Sequence, residues 1–179
     1  MTVVKPKKIN IGKVLLAWVI PLVILQTLSA QPQAPKSRPS VIVFVCQHGA
    51  AKSVIAAAYF NKLASERQLN FHAIARGVTP QPDVSPSTVE GLEKDGVPTS
   101  GQKPRALTRE DLEHAVRVIA FCPLPAPLAK GHRVESLDVP SPMDAYETSR
   151  DAILARVRNL MDELASEEKK PATSARSKP

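Results

Sequence analysis

Cys46, Lys52 and Ser53 are the residues of this sequence whose types and spacing could do chemistry together. Cys46 closes the apolar run Val41-Ile42-Val43-Phe44-Val45, which is mostly β-branched and reads as a buried strand. Gln47, His48, Gly49, Ala50 and Ala51 then make a short loop, and an apolar-periodic run begins at Ser53. A strand, a tight loop and a helix start together concentrate amides that have no intrahelical partner, so they form an anion site. A thiol placed there feels the same partial positive charge, which favours the thiolate, the nucleophilic form. The plainer alternative is a buried cysteine that ends a core strand, since free cysteine is among the most buried residue types.

The order cysteine, five residues, basic residue, hydroxyl resembles the phosphate loop of the low-molecular-weight protein tyrosine phosphatases and of the arsenate reductases that share their fold. The resemblance implies that Cys46 is the nucleophile and that Ser53 stabilises its thiolate. It also implies that Gln47, His48, Gly49, Ala50, Ala51 and Lys52 surround a phosphate or arsenate oxyanion. Lys52 stands where the family has arginine, and a compact ammonium lacks the planar fork that holds two oxygens at once. His48 stands where the family usually has glycine; it either donates to the anion or faces solvent.

Two further family positions differ. The family places its general acid in an Asp-Pro pair after the fourth strand, and the matching pair here is Ser141-Pro142. A serine hydroxyl is too weak an acid for that role. Asp138 and Asp144 flank the pair, and either is a candidate substitute, Asp144 slightly ahead; their plainer readings are a strand-end charge and a helix cap. Cys122 occupies the place after the third strand where the reductase branch carries a second, attacking cysteine. A two-cysteine cycle needs an outside thiol reductant to reset it. An inert thiol and a structural disulfide are the alternatives for Cys122. His72, His114 and His132 show no ligand spacing with one another, so neither a metal nor a cofactor is expected.

Positioning these residues requires a strand before Cys46 and a helix over residues 53–68, with Val54, Ala57, Ala58, Leu63 and Ala64 inward and Tyr59 and Phe60 beside them. A second strand is expected over 71–75, followed by Arg76-Gly77-Val78-Thr79, which resembles the Ser-Ala-Gly-Thr-like end of the family's second strand with Arg76 departing. Prolines over 79–86 make a loop, and Ser85-Pro86-Ser87 opens a helix that stops near Gly96. Thr108 and Asp111 fit an acidic variant of the capping box. Strands are expected over 116–121 and 133–139, the first followed by a loop at Pro123, Pro125 and Pro127. A closing helix over 143–164 turns Ile153, Leu154, Val157, Leu160, Met161 and Leu164 inward. Strands alternating with helices predict an α/β domain over residues 40–166, with a four-stranded parallel sheet and helices on both faces. Ligands of such sheets bind at the carboxyl ends of the strands, where Cys46, Cys122 and the turn at Pro140 fall.

Residues 1–30 carry Lys5, Lys7, Lys8 and Lys13, then an apolar stretch over 14–28, then the small residues Ser29 and Ala30. This is a secretory signal pattern, which places the protein outside the cytoplasm, periplasmic or secreted. An uncleaved membrane anchor over 14–28 is the alternative, although the stretch falls short of the roughly 20 residues of a spanning helix. Residues 31–39 read as a Pro- and Ser-rich linker and 167–179 as a disordered tail. Formal charge is +7, but losing residues 1–30 removes four lysines and no acid, leaving +3. Together with few aromatics and no basic stripe, that balance gives no case for nucleic acid. The expected protein is an exported cysteine-dependent phosphatase, with an arsenate reductase and a weakly catalytic oxyanion binder as alternatives.

Overall fold

The run 41–45 becomes the centre of the molecule because β-branched residues fit a strand that is covered on both faces. The computed structural model describes residues 38–99, 103–142 and 145–168. In it, β1 (Ser40–Cys46) pairs in parallel with β2 (Phe71–Gly77) on one side and β3 (Ala115–Ala120) on the other. β3 pairs in parallel with β4 (Val134–Ser136), so the sheet order is β2-β1-β3-β4.

Alternation along β1 divides the core. Ile42 and Phe44 point to the face covered by α1 (Lys52–Glu66), α2 (Pro86–Lys94) and α5 (Tyr146–Glu168), where they join Ile55, Phe60, Leu92 and Leu160. Val43 and Val45 point to the other face, against Leu107 and against Leu112 of α3 (Arg109–His114), with Leu128 of α4 (Ala126–Ala129) packed at its margin. The fold is therefore the expected α/β domain: a parallel four-stranded sheet with helices on both faces.

Element boundaries depart from expectation in ways that packing explains. α1 buries Ile55, Ala56, Tyr59 and Phe60, while Val54, Ala58 and Leu63 are only partly covered. Its inward stripe keeps Ala57 and Ala64, as expected, but turns toward Ile55, Ala56, Tyr59 and Phe60, because the two aromatic rings fill the core and leave Val54, Ala58 and Leu63 at its margin. α4 interrupts the proline-rich loop, since Pro125 precedes its first turn, where proline is tolerated. β4 is shorter than expected, and α5 extends through residues 167 and 168, which were expected in the tail. The expectations for residues 1–30, 31–37 and 169–179 lie outside the described residues. Among the described residues, no helix is long and apolar enough to cross a membrane.

The exposed edge of β2 is closed by side chains and by a passing segment. The Asn61 amide of α1 donates to Ala73 O (2.9 Å) and accepts from Ala73 N (2.7 Å), as a neighbouring strand would. Further along, Gly77 N donates to Arg105 O and Leu107 N donates to Gly77 O, both at 2.9 Å. Arg76 clamps Asp111 of α3 through two bonds, Nε to Oδ2 (2.9 Å) and Nη2 to Oδ1 (2.8 Å). Asp111 is also the acidic member of the capping box with Thr108, which forms as expected.

Candidate active site

β1 delivers Cys46 to the carboxyl edge of the sheet, where the residue is 5% exposed. The chain then turns through residues 47–51 and enters α1. Gly49 makes the turn possible with φ +62°. It also lies against the end of β2: a Cβ on Gly49 would stand 2.9 Å from Gly77 N, and one on Gly77 would stand 2.7 Å from Gly49 N. Two glycines let the loop and the strand end touch backbone to backbone.

The loop's carbonyls face outward, where a brace of residues 78–85 takes them up. Val78 N donates to Cys46 O (3.1 Å), Thr79 N to Gln47 O (2.8 Å), Gln81 N to His48 O (3.0 Å) and Ser85 N to Ala50 O (2.9 Å). With those carbonyls turned away, the Gly49 amide turns inward and donates to Cys46 Sγ at 3.2 Å. Ser53, fully buried in the first turn of α1, places Oγ 3.1 Å from the same sulfur. Ala51, the N-cap residue, has no side-chain acceptor for the first-turn amides, so they are left for an anion.

The other expected loop residues are placed differently from one another. Gln47 and His48 are exposed and engage Thr79: Gln47 Nε2 donates to Thr79 Oγ1 (2.8 Å) and His48 Nδ1 to Thr79 O (3.3 Å). Ala50 is buried and Ala51 half-buried. Lys52 sends its ammonium to Val139 O at 2.6 Å, on the connection that follows β4. One of its three protons is thereby committed to holding that connection against the start of α1.

A cavity of about 690 Å³ opens over Cys46. Its walls include Lys52, Asp83, Phe121, Cys122 and Ser141. Cys122 is a free, half-buried thiol. Burial pushes its ionisation up, nearby Cys46 adds to that, and the Lys52 charge opposes it. The two cysteines therefore share one electrostatic environment as well as one cavity. Asp138 is exposed and is not among the residues lining this cavity. Asp144, the other candidate acid, lies outside the described residues. No group of three or more His, Cys, Asp or Glu residues suited to a metal occurs among the described residues.

Sequence reasoning missed the 78–85 brace, the Val139 acceptor and Asp83. The brace had a signal, since Pro80, Pro82 and Pro86 fix a stiff loop at the end of a strand that must lie beside β1.

Residues 41–126 match the family model for low molecular weight phosphotyrosine protein phosphatases. Over this stretch the chain is similar to that family. No curated protein matches the sequence. Among solved structures, Bacillus subtilis YfkJ is 20% identical, with a TM-score of 0.66 over 76% of this chain and 100% of its own. A low molecular weight protein tyrosine phosphatase from the same organism is 24% identical, with a TM-score of 0.62 over 72% and 99%. The thioredoxin-dependent arsenate reductase of Corynebacterium glutamicum is 23% identical, with a TM-score of 0.61 over 73% of this chain and 64% of that one. At these identities the structures share the fold, one used by phosphatases and by arsenate reductases. The phosphatase family match spans both Cys46 and Cys122 and ends before β4 and the Ser141-Pro142 pair.

Proposed function

We propose that this protein hydrolyses phosphate monoesters of aryl alcohols, tyrosine-like in chemistry, through a covalent intermediate on Cys46. The observation that carries the reading is the Cys46 sulfur, held at the floor of a cavity by the Gly49 amide and the Ser53 hydroxyl. The thiolate attacks phosphorus, an S–P bond forms, and the P–O bond to the leaving group breaks. Water then attacks the same phosphorus, the S–P bond breaks with its electron pair returning to sulfur, and phosphate leaves. The loop amides meet the oxyanion, and preorganised donors of this kind carry much of such a barrier. Lys52 contributes charge and holds one cavity wall through Val139.

Arsenate reduction is the second reading, favoured by Cys122 in the same cavity. There Cys46 would bond to arsenic with loss of water, and Cys122 would attack the Cys46 sulfur. A Cys46–Cys122 disulfide forms, and the electron pair of the broken S–As bond leaves with arsenite. An external thiol would then reduce the disulfide.

The test follows hydrolysis of p-nitrophenyl phosphate by the reduced full-length chain, with Cys46→Ser beside it. Turnover that depends on Cys46 is expected. Equal rates for the two proteins would reject the phosphatase reading, and thiol-dependent arsenate consumption requiring both Cys46 and Cys122 would establish the second one.

A further inference from the structure

We propose that Asp83 is the acid that protonates the leaving oxygen, in place of the aspartate absent from position 141; this rests on the phosphatase reading above. Among the described residues that line the cavity over Cys46, Asp83 is the only carboxylate. Its position is fixed by the brace. Gln81 N is bonded to His48 O on one side of it, and Ser85 N is bonded to Ala50 O on the other. Residues 81–85 therefore arch over the phosphate loop with both feet tied to it, and Asp83 stands at the middle of the arch. Pro82, its immediate neighbour, stiffens the span.

Depth gives the second argument. Cys46 is at the floor of the cavity, 5% exposed, whereas the Asp83 side chain is 76% exposed and so belongs to the rim. A phosphate monoester bound with phosphorus over Cys46 directs its leaving group away from the sulfur, toward the rim, because attack and departure lie in line. A rim carboxyl on a tied arch meets that oxygen; a carboxylate at Cys46 depth would meet the equatorial oxygens instead. Lys103 Nζ lies 3.8 Å from Asp83 Oδ1, an exposed pair that leaves the carboxylate free to turn inward.

In the first half-reaction the Asp83 carboxyl gives its proton to the oxygen released from phosphorus. In the second, the resulting carboxylate takes a proton from the water that attacks the S–P intermediate, which restores the acid.

The experiment compares wild type, Asp83→Asn and Asp83→Glu as full-length chains on two substrates. One is p-nitrophenyl phosphate, whose leaving group needs little protonation; the other is phenyl phosphate, whose leaving group needs it. Asp83→Asn should lose about 10²-fold more kcat/KM on the second than on the first, the scale of a missing general acid, and should lower kcat on both, because the base of the second half-reaction is gone. Asp83→Glu should recover part of that loss. Activity on p-nitrophenyl phosphate also shows that each variant is folded. Equal, small effects on both substrates would overturn the proposal, and so would a leaving-group-dependent loss produced by Asp144→Asn and not by Asp83→Asn. Wild type no faster than Cys46→Ser on either substrate would overturn the phosphatase reading itself, and the acid with it.

Discussion

Ser53 is the donor to Cys46 that can be removed without touching the backbone. Its hydroxyl stands 3.1 Å from Sγ, while the Gly49 amide stands 3.2 Å away. A hydrogen bond to a charged group contributes roughly 1.5–3 kcal/mol, so losing one of two donors should matter for an anionic sulfur. Alanine suits the first turn of a helix, and the hydroxyl leaves only a small gap. Ser53→Ala should therefore fold normally and react with iodoacetamide at Cys46 about tenfold more slowly, the equivalent of roughly 1.4 kcal/mol. Mass mapping separates Cys46 from Cys122, whose thiol is held back by burial in both proteins. An unchanged Cys46 rate would show that the Ser53 contact does not govern its reactivity. The resemblance to the phosphatase loop implied the contact, and Cys46 and Ser53 belong to one contiguous strand-loop-helix segment. Lys52 was legible as a cation at the loop, but its acceptor Val139 lies 87 positions away, and no local pattern announces such a pair. Asp83 escaped for the same reason: its relation to Cys46 is set by the arch of residues 81–85 across the loop, not by any spacing within the chain.

At the scale of the elements, the site depends on β2 keeping its place beside β1, because Gly77 supports Gly49. The edge of β2 is held by Asn61, which satisfies both main-chain groups of Ala73, a residue 2% exposed. Removing that amide leaves a buried N–H and a buried C=O without their partner, each costing roughly 1–3 kcal/mol. Asn61→Leu is close in size, so its effect isolates the hydrogen bonds. It should lower stability by at least about 2 kcal/mol in urea unfolding with the slope m unchanged. A midpoint equal to wild type would mean that water replaces Asn61 at the edge. It would also show the edge to be open to another strand, the liability that edges usually cover. Strand and helix order was readable from hydrophobic periodicity, since β1 and α5 carry their patterns on large apolar residues. Sheet order was not readable, because which strand flanks β1 is decided by pairing between segments far apart in sequence. The rotated face of α1 was hidden for a related reason: Ala56, Ala57 and Ala58 look alike until Tyr59 and Phe60 have chosen the core.

Across the whole molecule, α1, the end of α2 and the start of α5 meet at one carboxylate. Asp95 Oδ2 accepts from Tyr59 Oη at 2.7 Å and from Tyr146 Oη at 3.0 Å, and Arg150 Nη1 reaches both carboxylate oxygens at 3.2 Å. Gly91 makes room for the Tyr146 ring, since a Cβ there would stand 2.3 Å from Tyr146 Cζ. Burial works against the Asp95 charge, but the bonds from Tyr59, Tyr146 and Arg150 outweigh it and hold the carboxyl below its ordinary range. The same carboxylate acts on the phenols in the opposite sense. Burial first, then the bond to Asp95, pushes Tyr59 up to about 12 and Tyr146 up as well. A depressed carboxyl stabilises the fold above its unfolded value, and that contribution is lost as pH falls through the folded value. Raised phenols stabilise it below their unfolded value near 10, and that contribution is lost as pH rises toward the folded one. Stability should accordingly hold on a plateau between the carboxylate range and pH 10 and fall on either side. These are the chain's only two tyrosines, so their ionisation can be read without assignment. The native chain brought to pH 10 should show almost no tyrosinate absorbance, and adding denaturant at that pH should release half of the full signal, the phenols then titrating near their ordinary value. Half of the signal already present in the folded chain at pH 10 would mean that the three helices do not close on Asp95, and α5 would then be joined to the rest of the domain by its apolar face and by outlying contacts such as Arg156 with Glu135 of β4.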